Sequence, residues 1–131
     1  MIKLHATDDQ DALNKSYLAL MRQGEKSGCG ANCFYTSSDG RLACGIGHLL
    51  PPMARNSFDM LDHGAAIEFL AAFRYVDIGS LNLNLLESIQ GTHDSLPDVN
   101  DTQEFREALT KCFKLLAEEY GLTLNEYKPG D

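Results

Sequence analysis

The chain has 131 residues, with 11 Lys and Arg against 19 Asp and Glu, for a formal net charge of −8. That length fits one domain able to bury a core without disulfide staples, and 44% hydrophobic with 23% charged residues excludes a largely disordered chain. The negative balance repels phosphate backbones, which argues against direct nucleic-acid binding and for solubility or for docking on a basic partner.

The opening residues, Met1-Ile2-Lys3-Leu4-His5-Ala6-Thr7-Asp8, carry no apolar stretch of the signal-peptide kind. No apolar run approaches the ~20 residues of a membrane span. A cytoplasmic location with no membrane partner is therefore expected, with the four cysteines reduced or metal-bound.

The first helix is predicted over 8–24. Thr7 or Asp8 can cap it, Asp8, Asp9 and Asp11 complement its dipole, and Leu13, Tyr17, Leu20 and Met21 recur at helical spacing. Gly24 is its expected stop. A loop over 25–32 leads into a β-hairpin, with strands Cys33 to Thr36 and Arg41 to Gly45 joined by Ser37-Ser38-Asp39-Gly40. Pro51-Pro52 closes that segment, and a short helix is expected near 53–62.

Residues 64–76 read as a buried helix through Ala65, Ala66, Phe69, Leu70, Ala72 and Phe73. Another helix covers 81–94, with Leu81, Leu85, Leu86 and Ile89 inward and Asn82 and Asn84 outward. After a loop at 95–100, the last helix spans about 101–120. Asp101 or Thr102 caps it, Phe105, Leu109, Cys112, Phe113, Leu116 and Tyr120 form its inner face, and Gly121 ends it. The expected fold is mainly α with one small β-hairpin (α+β), built as a single domain of four to five packed helices. Spare apolar surface on the helix at 64–76 leaves room for a homodimer.

The stretch Tyr35 to Leu50, with Gly40 and the run Gly45-Ile46-Gly47-His48-Leu49-Leu50, resembles the small lobe of phage-type lysozymes. Glycosidic hydrolysis needs an acid and a second carboxylate. At the positions where that family carries its acid, its second carboxylate and its active-site Thr, this chain has Gly28, Ser37 and Ala43. The resemblance therefore implies a cell-wall hydrolase that is degenerate unless a shift of the loop lets Glu25 serve as the acid.

A wider pattern consists of Cys33, Tyr35, Asp39, Gly40, Leu42, Cys44, Ile46, Gly47, Leu49, Leu50 and Pro51. It continues through Gln90, His93 and Asp94 to Tyr120-Gly121-Leu122. It is similar to that of a family of short uncharacterised phage and prophage proteins, over about residues 15–122. The chain departs from the pattern by one extra residue between Gly40 and Cys44 and by Phe105 where that family has Trp. The resemblance implies a phage-type accessory protein and no particular reaction.

Cys29, Cys33, Cys44 and His48 are spaced Cys-x3-Cys-x10-Cys-x3-His. Three thiolates and an imidazole suit a tetrahedral structural zinc site. Buried reduced thiols and a Cys33–Cys44 disulfide across the hairpin fit the same residues. Cys112 belongs to the apolar face of the last helix.

His93-Asp94 at a helix end could orient a general base. The plainer reading is a polar contact from His93 or Gln90 to the hairpin backbone. Gly45-Ile46-Gly47 lacks the residues of a phosphate loop. On the last helix Glu104, Glu107, Glu118 and Glu119 are interrupted by Arg106, Lys111 and Lys114, a mixture that reads as a solvated face rather than a nucleic-acid mimic.

The sequence thus points to a non-enzymatic, phage-type accessory protein. It would bind and inhibit a host protein for host takeover or anti-defence, such as a CRISPR-type factor. Tyr35, Asp39, His48, Gln90, His93 and Asp94 are its candidate binding residues. No cofactor is required, and the alternatives are a zinc-stabilised module and the degenerate hydrolase.

Overall fold

Two amphipathic segments, each opened by an aspartate and followed by a glycine, set the frame. The computed structural model describes residues 2–24, 49, 76–94, 96 and 101–127. Helix α1 runs Asp9–Gln23. Asp8 caps it by accepting the Asp11 N–H at 2.7 Å, and Asp11 reaches back to accept the Thr7 N–H at 2.9 Å. This reciprocal arrangement is a capping box one residue wider than usual. Gly24 ends α1 at φ 74, its N–H returning to the Leu20 carbonyl, the left-handed step that only glycine takes cheaply.

A parallel pairing of two residues per strand joins the N-terminus to the middle of the chain, β1 (Ile2–Lys3) beside β2 (Val76–Asp77), with Ile2 opposite Val76. Val76 was expected to close the buried helix at 64–76 but lies in β2 instead. β-Branched Val76 suits a pleated pairing. In the turn that follows, Asp77 accepts the Gly79 N–H at 2.9 Å, a side-chain-to-backbone contact that competes with helix.

Helix α2 covers Leu83–Asp94, two residues shorter at its start than expected. The cause is Asn82, whose side chain accepts the Asn84 N–H at 2.9 Å and so acts as the cap. Leu81, just outside, and Leu86, one turn in, are both buried in the core, the hydrophobic staple that fixes how the chain enters a helix. Asp9 accepts the Asn82 N–H at 2.8 Å, tying the start of α2 to the start of α1.

Helix α3 covers Thr102–Glu119 behind its cap Asp101. At its end the Leu122 N–H returns to the Ala117 carbonyl at 2.8 Å, and that of Gly121, at φ 65, to Glu118 at 3.3 Å. These are the paired bonds of a Schellman ending. The three helices pack on one another around Leu13, Tyr17, Leu20, Leu85, Leu86, Ile89, Phe105, Leu109 and Phe113, all buried. Tyr17 and Phe113 meet with ring centroids 5.6 Å apart at 38°, a tilted pair of the kind that adds about 0.5–1.5 kcal/mol beyond burial.

The described residues are mostly helical. The hairpin expected at Cys33–Gly45, the loop at 25–32, the helices expected at 53–62 and over 64–75, and most of the loop at 95–100 lie outside them. Leu49, the one described residue of the Gly-Ile-Gly-His-Leu-Leu run, is fully buried in the core, and its carbonyl accepts the His5 N–H at 2.7 Å. No helix among the described residues is long and apolar enough to cross a membrane.

Candidate functional site

The residues after α3 have no regular secondary structure, yet they are held by a simple match of periods. Gln10 and Asn14 stand one turn apart on α1. The Gln10 side-chain amide donates to the Thr123 carbonyl and accepts the Thr123 N–H at 2.8 Å, and Asn14 accepts the Asn125 N–H at 2.9 Å. Four helical residues rise about 6 Å, and two extended residues cover about 6.6 Å. The tail is therefore strapped along α1 at two residues per turn. Leu122 and Leu124 pack against the core, and Tyr127 is delivered to the far end of α1.

There Arg106 completes the construction. Its Nε donates to the Met21 carbonyl at 2.9 Å, and its guanidinium lies 5.3 Å from the centre of the Tyr127 ring. Met21 lies in the last turn of α1, where carbonyls lack helical partners and the dipole favours a cation. Cation–ring attraction then fixes the tyrosine. The next turn of α3 is fixed too: Thr110 and Tyr17 share a hydrogen bond at 2.8 Å, and the Thr110 hydroxyl lies 3.7 Å from the Met21 sulfur.

The result is a groove of about 480 Å³ between the end of α1, one face of α3 and Tyr127, within the usual size of a ligand site. Its long wall is the strip Gln103, Arg106, Thr110 and Lys114, with Glu107 and Lys111 beside it. The ends of that strip are eleven positions apart, about 17 Å of helix. Three of the chain's 11 basic residues line it, in a chain of net charge −8. Lys111 and Lys114 are exposed, and among the described residues neither forms an ion pair. Glu107 accepts from Gln103 at 3.1 Å.

A second charged cluster sits at the other end of α1. Burial alone would raise the Asp11 carboxyl. It is outweighed by hydrogen bonds from the Thr7 N–H and from Lys15, by the Lys15 charge and by the Thr7 hydroxyl, so the group lies below its ordinary 3.8. Lys15 Nζ is 3.0 Å from Asp11 and also donates to the His5 carbonyl at 2.9 Å. These contacts close the helix start.

Of the residues singled out from sequence, Gln90, His93 and Asp94 lie in the last two turns of α2, with Gln90 half-buried. Tyr35, Asp39 and His48 lie outside the described residues, as do Cys29, Cys33 and Cys44. Cys112 is half-buried against the core, as expected from its face of α3. Among the described residues no three His, Cys, Asp or Glu side chains converge as metal ligands.

The groove is not evident in chain order, where its lysines are interspersed with glutamates. Placing 103, 106, 110 and 114 on one helical face would have found its wall. Comparison of the chain with family models, with curated proteins and with solved structures returned no match.

Proposed function

We propose that this protein is a phage-type accessory factor that acts by binding and inhibiting a host protein rather than by catalysing a reaction. The observation that carries this reading is the cationic groove along α3 in a strongly acidic chain. A surface of the minority charge, braced by Arg106 and Tyr127, is what selective docking requires, since complementary patches steer partners and set register. The similarity in the arrangement of Cys33, Tyr35, Asp39, Cys44, Gly47, His93 and Asp94 to phage and prophage accessory proteins supports the biological setting.

Affinity capture on the immobilised protein from a lysate of the bacterium in which the gene resides tests it. One host protein retained in stoichiometric amount, and displaced by free protein, is the expected result. Recovery of no specific partner contradicts it.

The spacing of Cys29, Cys33, Cys44 and His48 favours a second reading, a binding module stabilised by structural zinc. Metal analysis of protein purified without chelator tests this: about one zinc per chain supports it, and a folded protein without zinc ends it.

A further inference from the structure

We infer that the groove along α3 binds an acidic, extended peptide segment of a partner protein. The inference rests on the proposed role in binding a host protein and names the chemistry of the segment recognised.

The wall is linear. Its polar groups recur once per turn over about 17 Å, which matches about five residues of extended chain. Its chemistry is donor-rich: Gln103, Arg106, Lys111 and Lys114 present N–H groups, and Lys111 and Lys114 form no ion pair among the described residues. The groove also offers apolar surface from Met21 and the face of Tyr127, which suits the methylenes and backbone of a peptide.

Charge selects among occupants. A nucleic acid carries its phosphates past the groove onto a surface of net charge −8, and Glu107 stands inside the groove itself. A short acidic segment places its carboxylates only beside the three cations. A second copy of the chain carries the same net charge of −8, a repulsion that a short segment of fewer charges lessens.

The decisive experiment is a fluorescence-anisotropy titration with a labelled, end-capped pentapeptide of four glutamates and one central phenylalanine. Saturable binding by the full chain is expected, weakening as ionic strength rises from about 0.05 to about 0.5 M and the Debye length falls from about 14 to about 4 Å. K111E/K114E should weaken it by about tenfold, from two lost surface ion pairs and their reversed charges. K111Q/K114Q should weaken it by about threefold. K3E/R22E makes the same change in net charge at exposed positions that do not line the groove, and should leave affinity within about twofold.

Absence of saturable binding, or equal weakening in K3E/R22E, overturns the inference. So does tighter binding of a thymidine pentanucleotide than of the peptide. A dimer in sedimentation that K111E/K114E dissociates also overturns it and assigns the face to self-association.

Lysate capture separates the two levels. A partner held equally by wild type and K111E/K114E defeats the groove assignment and leaves the binding role standing. Peptide binding without any captured partner does the reverse.

Discussion

Replacing Gly24 with alanine probes the junction on which the groove is built, where α1 ends against the start of α3. Gly24 sits at φ 74, and a Cβ there would lie 2.9 Å from Thr102 Cγ2 and 3.6 Å from an Arg106 nitrogen. The backbone conformation alone costs a residue with a Cβ about 1–2 kcal/mol. The contact adds about 1 kcal/mol of overpacking, because β-branched Thr102 has few rotamers to retreat into. Gly121 supplies the control, since it has nearly the same φ, 65, and nothing within 4 Å of its would-be Cβ.

G24A should therefore lower stability by about 2–3 kcal/mol and G121A by about 1–2 kcal/mol. T102S, which removes only Cγ2, should return about 1 kcal/mol to G24A in a double-mutant cycle. Urea denaturation followed by circular dichroism reads these values, provided the slope m is unchanged. Equal losses in G24A and G121A, or no relief from T102S, would refute the close approach of α1 and α3 at this point.

The other expected outcomes concern the core, the strap, the helix start and the groove. F113A removes a fully buried ring stacked against Tyr17 and should cost about 3–5 kcal/mol in the same denaturation assay. Q10A/N14A should cost about 1–2 kcal/mol and accelerate hydrogen exchange at the Thr123 and Asn125 amides. Unchanged exchange would mean the tail is held by Leu122 and Leu124 alone. Asp11 is depressed below 3.8 in the fold, so its contribution is fully present above about pH 5 and is lost as pH falls through the folded value. D11N should therefore separate from wild type above pH 5 and converge with it in acid, by less than about 1 kcal/mol for so exposed an ion pair. K111E/K114E reverses charges four residues from Glu107 and Glu118 on α3 and should cost about 0.5–2 kcal/mol in the same denaturation assay while leaving the chain folded.

The helices were legible because their signals are local. An aspartate, an apolar stripe at 3.6-residue spacing and a glycine mark α1 and α3. Leu13, Tyr17, Leu20, Met21, Phe105, Leu109, Phe113 and Leu116 are buried as expected, while Cys112 and Tyr120 are only half-buried and Ala117 is buried in addition. The start of α2 was misplaced by two residues, because Asn82 reads equally as a polar helical position and as a cap until its bond to Asn84 is seen. The pairing of Ile2 with Val76 was not legible at all. Two residues per strand leave no period to detect, and their partners are far apart in sequence.

The same limit hid the groove. Its α3 wall follows from helical spacing, but Tyr127 reaches it through a tail packed by Leu122 and Leu124 and bonded to Gln10 and Asn14, more than a hundred positions away. Arg106 looked like one charge among glutamates on a solvated face. In the fold it caps α1 and stacks on Tyr127, so its neighbours Lys111 and Lys114 line a braced surface rather than a loose one.

The measurement that bears most directly on the central claim is quantitative capture from host lysate on wild type and K111E/K114E side by side. One host protein enriched on wild type, carrying an acidic segment and reduced about tenfold on the variant, is the predicted result. Identical protein profiles on wild type, the variant and blank resin would contradict it.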